Sequence, residues 1–133
     1  MTAYISVSFK KRAQLDMELD SLIRVLNEFR IVPFLFVDHY QFNPEQEQIM
    51  MQQAMKDIEQ CSMLIAETSE KAIGIGIEAG YAKAKGKPVI YIRRSTASHS
   101  TTMSGISDFQ IIYTDVNDLE RQFRALITRI PLK

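Results

Sequence analysis

Several things are scarce in this chain of 133 residues, and each scarcity removes a class of protein. Cysteine occurs once, at Cys61, so no internal disulfide can form. The Cys/His spacing that builds zinc sites is missing as well. No sign of charge dominates: sixteen Lys and Arg face sixteen Asp and Glu, for a net charge of +0, which disfavours a general polyanion binder. No apolar run is long enough to span a bilayer. The opening residues Met1-Thr2-Ala3-Tyr4 pass directly into a strand-like pattern, without the basic and apolar regions of a signal peptide. These absences predict a cytoplasmic single domain over residues 1–133, with no metal, no cofactor, no membrane contact and no nucleic-acid polymer as partner.

What is present is alternation. Residues 4–9 read as a strand, followed by a helix over 13–29 in which Leu15, Leu19, Leu22, Ile23 and Leu26 recur at helical spacing. Residues 31–37 form a near-continuous apolar strand, and Pro33 near its start suits an edge position. Asn43 as N-cap and Pro44 at the first helical position open a second helix running to about Cys61. A third strand over 63–67 leads to a third helix over 76–85, closed by Gly86, and a fourth strand over 88–93. Residues 94–107, rich in Ser and Thr, read as a long surface loop. A fifth strand over 109–114 and a helix through Ile130, stopped by Pro131, complete the chain. Five such alternations predict an α/β fold with a doubly wound, five-stranded parallel sheet in the order 2-1-3-4-5. Ligands of such sheets bind beyond the carboxyl ends of the strands where the order reverses, which nominates residues 8–12 and 67–78.

The second of those segments carries the most chemistry. Gly74 and Gly76 are expected to permit tight turns and close approach of a ligand to the main chain. Glu78 is expected in or just before the first turn of the third helix, where the helix dipole favours a carboxylate. A positioned carboxylate is what covalent glycosyl transfer requires as its nucleophile. An ordinary first-turn acid on a solvated face has the same signature. The dinucleotide fingerprint is absent, because Gly80 comes one position late for G-x-G-x-x-G, so a Rossmann dehydrogenase is set aside.

Cys61-Ser62-Met63-Leu64-Ile65-Ala66-Glu67-Thr68, then Gly74-Ile75-Gly76-Ile77-Glu78-Ala79-Gly80-Tyr81-Ala82, then Gly86-Lys87-Pro88-Val89-Ile90 resembles the nucleoside 2-deoxyribosyltransferase family, which includes 2'-deoxynucleoside 5'-phosphate N-hydrolases. The resemblance implies a flavodoxin-like or Rossmann-like sheet and a reaction at the N-glycosidic bond of a nucleoside or nucleotide. Glu78 would attack the anomeric carbon and release the base, and water or a second base would resolve the intermediate. Met103-Ser104-Gly105-Ile106-Ser107-Asp108 is similar to the family segment that a neighbouring subunit inserts into the active site. This implies that Thr101 and Met103 complete another protomer's pocket in a homodimer or larger homo-oligomer. Ser8 stands at the serine of the family's opening loop, so Ser8, Phe9, Lys10 and Arg12 are expected beside sugar or phosphate, with Glu67, Gly74 and Gly76 lining the site.

The chain departs from that pattern in its opening loop and at two further positions. The family has an aspartate where Ala54 stands, and a polar residue where Ala72 stands. Asp57, almost a turn after Ala54, is expected on a different part of the helix. Asp38, at the end of the second strand, is a candidate to replace the missing acid. Tyr40 and Phe42 at the same tip suit either stacking on a base or packing over the sheet edge. Cys61 is expected to be a small buried hydrophobe, and His39 and His99 surface residues. Two other readings share the scaffold: a catalytically impaired nucleotide-binding or signalling module, favoured by Ala54 and Ala72, and a Toll/interleukin-1 receptor-like NAD glycohydrolase, which the glycine spacing fits less well.

Overall fold

The computed structural model describes residues 1–131. Its five strands are β1 (Thr2–Ser6), β2 (Val32–Leu35), β3 (Met63–Glu67), β4 (Val89–Arg94) and β5 (Phe109–Tyr113). All pair in parallel, in the order β2-β1-β3-β4-β5, as the alternation of elements predicts. Every residue of β3 is buried, whereas β2 and β5 lie at the edges and are partly exposed. Pro33, which has no N–H to donate, sits on edge strand β2 opposite Ala3.

The helices are α1 (Asp16–Glu28), α2 (Phe36–His39), α3 (Glu47–Gln60), α4 (Ile73–Ala84), α5 (Thr101–Ile106) and α6 (Val116–Ile127). Short 3-10 turns at Arg12–Leu15 and Pro44–Gln46 precede α1 and α3. Successive strand residues point to opposite faces, so the sheet feeds two cores. Ala3, Ile5, Ile65, Ile90 and Ile92 meet Leu19, Leu22 and Leu26 of α1 and Leu119 and Phe123 of α6. Fully burying each of these large side chains is worth roughly 1.5–3 kcal/mol. Tyr4, Leu64, Ala66, Val89 and Tyr91 face the other way, towards α3, α4 and α5. Among the described residues no helix is long and apolar enough to cross a membrane.

The boundaries differ from expectation in four places. β1 ends at Ser6 and not at Phe9, whose ring is 76% exposed. β2 stops at Leu35, because the chain turns into α2. α4 begins at Ile73, three residues before Gly76, since Ile73, Ile75 and Ile77 alternate with glycine and acid and give no helical stripe. The supposed long loop contains α5, capped by the Ser100 side chain, which accepts from the Met103 N–H at 3.3 Å. Gly86 does close α4, in the left-handed conformation at φ 73°.

Candidate active site

α4 rises from the carboxyl end of β3 and packs over β1 and β3. Its second turn carries Glu78, which is therefore not in the first turn, and the helix dipole is not what governs its charge. The Glu78 carboxylate reaches the face of β1 on which Tyr4 and Ser6 stand two residues apart. The Tyr4 hydroxyl donates to Oε2, and the Ser6 hydroxyl donates to Oε1 at 2.6 Å. Burial raises the Glu78 pKa, while the Ser6 and Tyr4 hydrogen bonds pull it back. Burial, followed by the charge of Glu78, raises the Tyr4 pKa strongly, so the phenol stays protonated and remains a donor. The result is a partly desolvated carboxylate held in one orientation by two hydroxyls.

Tyr4 and Ser6 are the residues that sequence reasoning missed. An aromatic in a buried central strand is ordinary, so Tyr4 carried no flag. The available signal was Ser6, a polar residue in a strand buried on both faces, which needs a partner.

The glycines behave differently from expectation. Gly74 and Gly76 lie within the first turn and a half of α4 and make no tight turn. A Cβ at either would meet nothing within 4 Å, so the backbone there is open to a ligand. Gly76 joins Thr68, Lys71, Ala72, Ser100 and Met103 in the wall of a hollow of about 360 Å³. Ala72 is the N-cap residue of α4, with extended φ and ψ and no side chain to accept from the free N–H groups.

Glu67 does not line the site. It points to the α1/α6 side, is 0% exposed, and has both oxygens engaged: Oε1 accepts from the Ser69 N–H at 2.6 Å and Oε2 from the Tyr113 hydroxyl at 2.7 Å. Burial raises its pKa, and the hydrogen bonds to Ser69 and Tyr113 moderate the rise.

Asp38 does not enter the pocket either. It lies in α2, exposed, and the Arg12 guanidinium takes both its oxygens, with Nε at 3.0 Å from Oδ1 and Nη2 at 2.7 Å from Oδ2. Those bonds raise the Arg12 pKa first of all. Arg12 also bonds Asp16 at 2.6 Å, so it is committed to carboxylates of its own chain and not free for phosphate. Ser8 is buried, and Phe9 and Lys10 are exposed. Thr101 is exposed at the start of α5, but Met103 is buried in its own chain's core. Met103 also lines the hollow beside Gly76 of its own chain.

Asp57 corrects a further expectation. Three residues after Ala54, it shares the buried face of α3 with Ala54 and Ile58 and does not lie elsewhere on the helix. Tyr40 and Phe42 do pack at the sheet edge, with ring centroids 5.1 and 6.1 Å from Phe36, in an aromatic cluster that continues to Tyr4. Cys61 is buried, and burial together with the Asp57 charge lifts its thiol pKa to about 11, which makes it a poor nucleophile.

With this geometry in view, comparison with known proteins is informative. The nucleoside 2-deoxyribosyltransferase family profile matches residues 6–121, and the chain belongs to that family. The fold is also that of a CMP N-glycosidase, BcmB, from Clostridium botulinum: 21% identity, 94% of this chain and 99% of that one covered, TM-score 0.68. A 2-deoxyribosyltransferase from Bacillus psychrosaccharolyticus superposes at TM-score 0.70 with 16% identity, covering 90% of each chain. A conserved protein from Enterococcus faecalis does so at 0.74 with 12% identity, covering 95% of this chain and 98% of that one. No curated protein matches the sequence. The family is one of enzymes of N-glycosidic bond chemistry, and membership in it is what the profile match shows for this chain.

Proposed function

We propose that this protein cleaves or transfers the glycosyl group of a nucleoside or nucleoside 5'-monophosphate, with Glu78 as nucleophile. The observation that carries the reading is the Glu78 carboxylate itself, partly stripped of water and fixed by Tyr4 and Ser6. A desolvated carboxylate in a fixed pose needs little reorganisation to attack. One Glu78 oxygen forms a bond to the anomeric carbon as the bond from that carbon to the base nitrogen breaks. The base leaves with the electron pair and takes up a proton. The resulting glycosyl ester is opened by water, returning a free sugar, or by a second base, giving a new nucleoside. The tyrosine and serine hydroxyls hold the carboxylate before attack and accommodate its loss of charge on ester formation. The open backbone at Gly74 and Gly76 and the hollow beside it give the sugar or phosphate room.

Self-association belongs to the same proposal. Ile73 is 85% exposed and Ile77, one turn on, is exposed beside it, both on α4, with Ile49 exposed on α3. We assign this apolar face to a second copy of the chain, and sedimentation of Ile73→Asp/Ile77→Asp protein as a smaller species than the parent is the expected result.

A reading as a binding module without turnover is favoured by Ala54 and Ala72, which stand where the family has polar groups. Incubation with nucleosides, their 5'-monophosphates and NAD, with and without a free acceptor base, separates the two. Chromatographic release or exchange of base, lost in Glu78→Ala, supports the enzyme. Nucleotide binding with no release from any substrate supports the module.

A further inference from the structure

We infer that the Arg12–Asp38 ion pair is a positioning device for substrate binding: it holds the turn from Ser8 to Lys11 against α2, so both residues govern affinity without touching substrate. The inference rests on the nucleotide reading above and adds to it the pair that shapes the mouth of the same site.

Two stretches of chain leave the site from neighbouring strands, β1 and β2. β1 carries Tyr4 and Ser6, the holders of Glu78, and the chain runs on through Val7 and Ser8, both buried. Val7 packs in the same core cluster as Ile5, so alternation persists past the end of β1 and returns Ser8 to the side of Tyr4 and Ser6. Two residues of chain reach at most about 7 Å, which keeps Ser8 close to Ser6. The Ser8 carbonyl then accepts from the Lys11 N–H at 3.2 Å and closes a turn. The tip of that turn, Phe9 and Lys10, is exposed and lacks packing of its own. The second stretch leaves β2 as α2, which packs on β1, with the Phe36 ring 6.1 Å from that of Tyr4.

Arg12 is the first residue after that turn, and Asp38 comes two residues after Phe36. The guanidinium meets the carboxylate as a fork, with Nε 3.0 Å from Oδ1 and Nη2 2.7 Å from Oδ2, across 26 residues of sequence. Nη1 bonds Asp16 at 2.6 Å, which ties the same side chain to the start of α1. One side chain thus joins the turn, α1 and α2. A fork fixes direction as well as distance, which the point charge of a lysine does not. The pair is open to water, with side chains 25% and 46% exposed, so it adds little to global stability. Its effect falls instead on the weakly packed turn. A turn held in place already has its binding pose, whereas a free one has that pose only part of the time, and affinity drops by that fraction.

Binding tests this apart from catalysis. In Glu78→Gln protein, equilibrium affinities are measured for the nucleosides and 5'-monophosphates of the panel above. Arg12→Lys keeps the charge and loses the fork, and Asp38→Asn keeps the shape and loses the charge. Each is expected to weaken binding about three- to tenfold. The double variant is expected to bind no more weakly than the weaker single, because one interaction is lost once. With Glu78 restored, KM rises by the same factor and kcat stays within about twofold. Unchanged affinity in either single variant, factors that multiply in the double, or a fall in kcat at constant KM overturns the inference and leaves the glycosidic reading standing. Tighter binding of the monophosphates in Asp38→Asn overturns it too, since Arg12 would then be a phosphate ligand released from its carboxylate. Melting temperatures check folding, and if one variant fails to fold, the other single decides. No binding by any member of the panel overturns the nucleotide reading itself, and this inference with it.

Discussion

Two glutamates in this molecule are each held by a tyrosine and a serine, on opposite faces of the same sheet. Glu67, at the end of β3, bonds Tyr113 and the Ser69 backbone on the α1/α6 side. Glu78, on α4, bonds Tyr4 and Ser6 on the α3/α4 side. Burial raises the pKa of both. They differ in what is left over. The Glu67 trio is closed: the Ser69 hydroxyl lies 3.2 Å from Tyr113 and accepts from the Arg94 N–H at 2.9 Å, and the carboxylate has no exposure. The Glu78 trio is partly open and sits on a helix whose first turn borders a hollow. The same three residue types thus make a closed brace on one face and a partly open, partly desolvated carboxylate on the other. Access, not composition, separates them.

The sharpest way to break the comparison is to exchange the charge on each glutamate. Glu78→Gln is expected to lower turnover by about a thousandfold or more while leaving the melting temperature unchanged or raised. Glu67→Gln is expected to do the reverse, keeping turnover of the remaining folded protein and costing about 1–3 kcal/mol of stability in denaturant titrations. The tyrosines form the next pair. Tyr4→Phe removes a hydrogen bond that holds the Glu78 pKa down, so the acid limb of kcat/KM moves to higher pH and the rate falls about ten- to a hundredfold. Tyr113→Phe leaves that limb in place and costs about 1 kcal/mol of stability.

The pH dependence of stability follows with its sign. Both glutamates hold their proton to higher pH in the folded chain than in the unfolded one, whose carboxyls titrate near the ordinary 4.5. Within the window from that value up to the raised ones, the native state binds more protons, so stability falls as pH rises. Glu78→Gln is expected to flatten this slope in melts taken across the window. The smallest effect concerns the helix that carries Glu78. Ala72→Ser supplies the side-chain cap that α4 lacks and is expected to stabilise by about 1 kcal/mol in thermal melts.

These pairs also show how far the sequence could be read. The sheet order was legible because β-branched runs, leucines at helical spacing and the punctuation at Asn43, Pro44 and Gly86 all agree. The start of α4 was not, because its isoleucines repeat every second residue and mimic a strand. α5 was hidden by Ser and Thr, although Ser100 both caps it and donates its N–H to the Tyr91 hydroxyl at 2.9 Å. At the candidate site, the motif singles out Glu78 as the residue to examine. Its partner Tyr4 carries no such mark, since the contact joins residues 74 apart in sequence. Glu67 looked like a second site residue because nothing in the sequence shows that Tyr113, 46 residues on, occupies it.

The central claim is that Glu78 becomes covalently glycosylated. Rapid quenching during turnover of the best substrate in the panel, followed by mass spectrometry of the α4 peptide, tests it directly. A mass increase equal to the glycosyl group, mapped to Glu78 and gone when hydroxylamine cleaves the ester, is the predicted result. Base release that continues in Glu78→Gln, or an adduct on any other residue, would contradict the account.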